Sequence, residues 1–377
     1  MQRPLDHVRG TLHPVITAGD WREALPDSAP MHFAKPFGSR HSACLLKGIQ
    51  LMTDSLYPEV LPPKKPGRFG NRATPRAFVI ASDPQYPWTP ASDDGEEQPS
   101  NIRDRLSREL IAEQYASIAS YRASLGGTGI PVMINGDMTA YGHAWQRGVV
   151  YPLIQEHLKE NYYFGLGNHD YKNNIDDTLN NAGARDSVLD LINHHQQLVD
   201  TMHLSISEND LQTGYDGSLA YSMSFGRVRL IQLNNEPTYK VRFSSGLPWP
   251  LQRNHDFNIT SSLDWLEVQL KESYRHGQVT LVNLHQPDEW DGDRQERQRF
   301  RSMLQHYRVN AVFAGHYHKE AGHFSSAGSY STYLSGSASQ ETYLLAELSD
   351  DADFLTIKCV RNNNWSSAEV LDRIKLY

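Results

Sequence analysis

Short apolar runs recur along the chain, and each gives way abruptly to a cluster of Asp, Asn, Gln or His. AFVIASD at 77–83, PVMIN at 131–135, YYFGLG at 162–167, and residues 279–284 and 310–314 each read as a buried strand bounded by a polar turn. Between them the apolar positions fall at helical spacing. Leu106, Leu110, Ile118 and Leu125 predict a long helix over 102–125, and further helices are predicted around 143–158 and near 187–204. Leu263, Leu266 and Leu270 place another over 261–273. Tyr221–Phe225 and Val228–Leu233 read as strands about a turn at Gly226, and residues 330–377 are mostly strand-like. Strands alternating with helices in this way predict a layered α/β fold, and no repeat of solenoid or propeller period interrupts it.

Some stretches stand outside the pattern. Residues 1 to about 75 are rich in Pro and Arg and end in the basic segment PPKKPGRFGNRATPR. They are expected to form an N-terminal extension or small appended domain, with the main domain over 76–377; a packing arm is the ordinary reading, and a delivery or targeting role the alternative. ASDDGEEQPSN at 91–101 reads as an acidic, solvated surface loop, and NNIDDTLNNAGARD at 173–186 as a second insertion.

Composition narrows the function. Hydrophobic residues at 39% and aromatics at 10% are enough for a real core. The net charge of −8 argues against a generally basic nucleic-acid binder. Cys44 and Cys359 alone cannot build a disulfide scaffold or a cysteine zinc module. No run of 18 apolar residues occurs, and the opening MQRPLDHVRGTLHP lacks the apolar segment of a Sec signal. A cytoplasmic protein is expected, with export by a signal-less route left open.

Candidate chemistry lies where the strands end. SDPQ (82–85), NGDMTAYG (135–142), LGNHD (166–170), LVNLHQP (281–287) and AGHYH (314–318) offer carboxylates, amides and imidazoles at strand carboxyl ends, where α/β sheets keep their functional loops. A single such Asp or His has an ordinary reading as a cap or a hydrogen-bonded structural residue. Five clusters at once are hard to explain that way, because buried polar groups without partners are costly. A metal cluster accounts for them. Oxygen and imidazole donors without thiolate suit Mn, Fe, Zn or Mg. Asp137, a lone carboxylate on its own turn, is the best candidate to bridge two ions. His316 and His318, two apart on a strand-like segment, would share a face, and Gly167 and Gly315 would permit close approach or unusual backbone angles.

The ordered series D-x-Q, GD, GNHD, H and GHxH resembles the calcineurin-like metallophosphoesterase superfamily over residues 77 to about 348. The resemblance implies a four-layer α/β/β/α sandwich with a dinuclear metal site at the sheet edge. It implies one metal held by Asp83, Gln85, Asp137 and His318, and a second held by Asp137, Asn168, His285 and His316. His169 would stand near the leaving-group oxygen, oriented by Asp170. The family's first motif is usually D-x-H; Gln85 in its place should shift that site towards Mn or Mg and away from zinc. Two divalent ions, manganese first, are therefore the expected cofactors.

The expected reaction is hydrolysis of a phosphomonoester, phosphodiester or pyrophosphate of a small molecule, nucleotide or lipid headgroup. A hydroxide bridging the ions would attack phosphorus, with charge on the equatorial oxygens held by the metals and Asn168. His169, sustained by Asp170, would donate to the leaving oxygen. The rival reading, a partner-binding scaffold of the same fold without chemistry, would show missing ligands, and only position 85 departs. Tyr86, Trp88, His143, Tyr239, Arg242, Tyr317, Asn234 and Asn235 are candidates to line the cleft. His194 and His195 read as polar packing, and Arg294, Arg297, Arg299 and Arg301 as a solvated helix face.

Overall fold

Five apolar residues without an exposed side chain form β1 (Ala77–Ala81), the strand from which the architecture grows. The structure is a computed structural model of the 377-residue chain and describes residue 61 and residues 72–246, 253–328 and 330–376. The chain divides into units Met1–Met52 and Thr53–Tyr377, and all described residues belong to the second. The expected N-terminal extension thus lies almost wholly outside the described residues. Its last residues lie within the second unit and are fastened there: Arg72 pairs with Asp200 at 2.5 Å, and Thr74 Oγ1 accepts from the Arg227 amide at 3.0 Å.

After β1 come α1 (Pro90–Asp93), α2 (Ser100–Leu125), β2 (Val132–Ile134), α3 (Ala144–His157), β3 (Tyr162–Phe164) and α4 (Ala182–His195). Of the seven strands described before the next helix, the first six are β4 (Thr201–Met202), β5 (Ser205–Glu208), β6 (Gln212–Gly217), β7 (Tyr221–Phe225), β8 (Val228–Gln232) and β9 (Val241–Ser245). Then come β10 (Asn254–Ile259), α5 (Leu263–Arg275), β11 (Val279–Asn283), α6 (Arg294–His306) and β12 (Ala311–Ala314). The chain closes with β13 (Ala321–Ala327), β14 (Tyr330–Ser335), β15 (Tyr343–Leu348), β16 (Phe354–Val360) and β17 (Glu369–Lys375).

One sheet has the order β17-β16-β15-β1-β2-β3, with β1, β2 and β3 parallel. A second has the order β13-β14-β12-β11-β8-β7-β4, with β8, β11, β12 and β14 parallel. The parallel strands β1, β2, β8, β11 and β12 are buried at every position, as expected where both faces are covered. Between the sheets a common core forms, with Phe78 edge-on to Phe225 at 5.7 Å. Side chains of α2, α3 and α4 join that core, while α5 and α6 enclose a second core on the other side of the β11–β12 sheet. The result is the four-layer α/β/β/α sandwich. A small sheet, β5-β6-β10-β9, is formed by strands that flank β7 and β8 in the chain.

Two sequence expectations shift. The helix expected near 187–204 is α4, which runs Ala182–His195 and gives way to β4 at Thr201. It takes in the end of the 173–186 stretch, because Gly183, Ala184, Val188, Leu191 and Ile192 bury one continuous face. In α2 the buried face is Ile111, Gln114, Tyr115, Ile118, Tyr121 and Arg122, whereas Leu106 and Leu110 are half-buried. The inward polar residues have tertiary partners: the Gln114 amide donates to Thr342 O at 2.9 Å, and Arg122 donates to three backbone carbonyls.

Candidate metal centre

The loops after β1, β2, β3, β11 and β12 meet at one edge of the sandwich. Direct bonds between their backbones and side chains show it. The His316 amide donates to Asp83 Oδ2 at 3.1 Å, and His285 Nδ1 lies 2.9 Å from the Asn135 carbonyl. Asp83, Gln85, Asp137 and His316 all adopt left-handed φ (52°, 35°, 50° and 74°). Such angles cost a non-glycine residue energy, so the surrounding fold must enforce them. Gly167 and Gly315 let the loops close: a Cβ on Gly167 would stand 2.2 Å from Asp137 Oδ1, and one on Gly315 would stand 2.4 Å from Asp83 Oδ2. Close approach, rather than an unusual φ, is what these two glycines supply.

His316 and His318 sit beyond the end of β12 in a turn, so the expected strand-like shared face is not what arranges them. The left-handed φ at His316 sends the two rings to different partners. His318 Nε2 lies 3.2 Å from Asp83 Oδ1. His316 Nδ1 donates to Asn168 Oδ1 at 3.1 Å, and His285 Nε2 donates to the same oxygen at 3.0 Å while lying 3.1 Å from Asp137 Oδ2. One group thus holds Asp83 and His318, the other Asn168, His285 and His316, with Asp137 adjoining both: ligand atoms of Asp83, Asp137 and His318 fall within 4.8 Å of one another.

The donor set fits divalent cations. Asp83 Oδ1, Asp137 Oδ2 and both amide atoms of Gln85 are buried without a hydrogen-bond partner among the described residues. Near contacts of 3.1 and 3.2 Å between Asp and His atoms that are not aligned as hydrogen bonds are the spacing of neighbouring ligands on one ion, about 3 Å for octahedral bonds of roughly 2.1 Å. Electrostatics agree. Burial opposes charge on Asp137, yet His285 holds its carboxyl well below the usual range. Burial likewise opposes charge on His285, but Asp137 and Asp83 push it up to about 9. His318, despite burial, is pushed up to about 10 by Asp83 and Asp93, whereas burial and His285 bring His316 down to about 4. A site that binds protons this firmly in its carboxylate–imidazole pairs offers a cation the same lone pairs.

His169 is half-buried beside the group, its backbone amide donating to Asp137 Oδ1 at 2.8 Å. The expectation that Asp170 orients the ring is corrected. Asp170 Oδ1 accepts from the Met138 amide at 2.9 Å and Oδ2 from the Gly167 amide at 2.8 Å, so the carboxylate pins two loops together. Burial and the Asp137 charge push its carboxyl up to about 8. The His169 ring is held instead by the Ala140 carbonyl, 2.9 Å from Nδ1. A carbonyl only accepts, so Nδ1 carries the proton and Nε2 is left to exchange one.

Of the cleft candidates, Tyr86, Tyr239, Asn234 and Asn235 are buried, and Asn234 bonds the Tyr171 hydroxyl. Arg242 lies on β9, bonded to Asn258 at 2.7 Å, and His143 caps α3. Tyr317 packs on His316 and bonds Asp288 at 2.8 Å; Trp88 packs edge-on to His169 at 5.7 Å. The His194–His195 pair is polar packing as expected, and Arg299 of the arginine face is tied to α5 through Asp264 and Glu267 at 2.6 and 2.8 Å. Asp93 was missed. The acidic run 91–101 is not all surface loop: its first residues form α1, and the Asp93 side chain is 3% exposed, with His318 Nδ1 2.5 Å from Oδ1. Only the Thr89–Pro90 start of a capped helix could have signalled it.

Among the described residues no helix is long and apolar enough to cross a membrane. No curated protein matches the sequence. Among solved structures the chain is similar to a dimetal phosphatase from Danio rerio, at 17% identity and a TM-score of 0.46, covering 81% of this chain and 100% of that one. It is similar to a 5'-nucleotidase from Candida albicans at 13% identity and a TM-score of 0.45, covering 80% of this chain but only 54% of the nucleotidase. The sequence model for calcineurin-like phosphoesterases matches residues 79–320, well over half of the 377 residues. That span takes in every strand-end cluster from Asp83 to His318, and the chain belongs to the calcineurin-like phosphoesterase family.

Proposed function

We propose that this protein hydrolyses a phosphoester or pyrophosphate of a small molecule, nucleotide or lipid headgroup, using two divalent ions of which manganese is the preferred. The observation that carries the proposal is the convergence of five strand-end loops on buried, unpartnered ligand atoms, those of Asp83, Gln85 and Asp137. In this reading Asp83, Gln85, Asp137 and His318 hold one ion, and Asp137, Asn168, His285 and His316 the other. Bound there, the ions supply Lewis acidity and a hydroxide nucleophile at neutral pH.

The remaining steps belong to the chain. Asn168, whose Oδ1 lies 3.0 and 3.1 Å from the His285 and His316 ring nitrogens, would share the ion with them through that oxygen and leaves its amide nitrogen for a phosphoryl oxygen. His169, its Nδ1 committed to Ala140, gives a proton from Nε2 to the leaving oxygen. Asp170 keeps the Asp137 and Asn168 loops in register through the Met138 and Gly167 amides. Gln85 contributes a neutral, hard oxygen, which favours manganese or magnesium over zinc. The −8 net charge weighs against polynucleotides as substrates.

Turnover is the test. Chelated protein is reloaded with Mn, Mg, Fe(II) or Zn and given a monoester, a diester and a pyrophosphate in parallel. Best recovery with Mn on one substrate type is the expected result. Two tightly bound ions per chain with no turnover of any of the three would overturn the proposal.

A further inference from the structure

Asp93 owes its place to a local signal. Thr89 caps α1 with a reciprocal pair of bonds to Ser92, both 3.3 Å, and Pro90 takes the first helical position. The helix ends by turning the Asp93 carboxylate inward. Its Oδ1 accepts from Trp88 Nε1 at 2.6 Å and from His318 Nδ1 at 2.5 Å. Its Oδ2 accepts from Ser339 Oγ at 2.6 Å and Gln340 Nε2 at 2.7 Å. Four donors fill the lone pairs of an ionised carboxylate, so none is left for an ion. Asp93 faces the candidate centre only through His318, whose Nε2 points to Asp83.

We propose that Asp93 is a positioning residue for the half-site of Asp83, Gln85 and His318. This rests on the metal reading above. By taking Nδ1–H, the carboxylate fixes the His318 tautomer with its Nε2 lone pair towards Asp83 and makes the imidazole a stronger donor. Besides Asp83 and His318, the half-site has only the neutral amide of Gln85 as a ligand of its own, so its cation depends the more on the charge behind His318. The same carboxylate anchors Trp88, whose indole packs edge-on to both His318 and His169 at 5.7 Å. One buried anion therefore braces a metal ligand and the ring that contacts the proton donor.

Asp93→Asn keeps the side chain's size and removes its charge. Ion-free wild type and variant are titrated with Mn2+, following stoichiometry by calorimetry and the environment of the indoles by tryptophan fluorescence. Urea unfolding of both ion-free proteins is measured in parallel. Wild type binding two ions, with one of them weakened about 10- to 100-fold in Asp93→Asn and the other unchanged, is the expected result. Ser339→Ala, which removes one donor to Asp93 but leaves the His318 bond, should bind both ions within about twofold of wild type, the scale of removing an indirect contact. Equal affinities in Asp93→Asn and wild type would overturn the proposal. So would equal weakening of both ions, or a loss matched by Ser339→Ala, since either means Asp93 only holds the fold. A wild type that binds no ion at all sinks the metal reading itself, a result distinct from these.

Discussion

The carbonyl oxygen of Ala140 lies 2.9 Å from Nδ1 of His169 and sets the direction of that ring. Backbone, unlike a carboxylate, orients the imidazole without placing a charge beside it, and leaves Nε2 to give the proton. His169→Ala should leave the metal content intact and slow cleavage by about 10²- to 10⁴-fold, most for poor leaving groups. Metal analysis beside rates over a leaving-group series checks this; loss of metal would move His169 into the ligand set.

Asp170→Asn should act on stability before chemistry. An Asn side chain can accept at one oxygen, but its NH2 would meet either the Met138 or the Gly167 amide head-on. A loss of about 1.5–3 kcal/mol is expected in urea unfolding of the ion-free protein. Unchanged stability would show that the carboxylate is not the link between the two loops.

Asp137→Asn should abolish turnover and release both ions. The carboxylate adjoins both groups, and an amide neither balances their charge nor offers two equivalent oxygens. Metal content after dialysis is the check, with one retained ion as the contrary outcome.

Gly315→Ala and Gly148→Ala should move in opposite directions. At 315 a Cβ would meet Ser82 Oγ at 1.8 Å and displace Asp83, so stability should fall by about 1–3 kcal/mol and metal affinity with it. At 148, inside α3, a Cβ meets nothing within 4 Å, and a gain of up to about 1 kcal/mol is expected. Thermal or urea unfolding of the two variants decides.

Acid should unfold the protein partly through His195. Fully buried, it accepts from the Phe164 amide at Nε2 and bonds the Leu191 carbonyl through Nδ1. Burial and the neighbouring His194 hold it well below its usual value of 6.5. The folded state keeps it neutral while the unfolded chain takes up a proton below about 6.5. Its contribution to stability is therefore complete above that pH and declines below it, by up to about 1.4 kcal/mol per pH unit. His195→Gln, which retains an acceptor for Phe164, should flatten the curve of unfolding free energy against pH between 4 and 7; an unaltered slope would place the acid sensitivity elsewhere.

The buried strands, the alternation that makes the sheets parallel and the residues gathered at their ends are legible in the chain. Continuous apolar runs have few alternatives, and a strand that stops in GNHD or GHYH must present those side chains at a sheet edge. Tertiary structure alone decided which atoms meet. Ala140 and Asn135 act through carbonyl oxygens that every residue possesses, so no side chain marks them. Asp93 lay hidden in an acidic run because its burial depends on four donors, two of them supplied by residues nearly 250 positions away. Gln114 and Arg122 rotated the buried face of α2 for the same reason: a polar group is stable inside only where distant backbone satisfies it, and distance along the chain carries no trace of that.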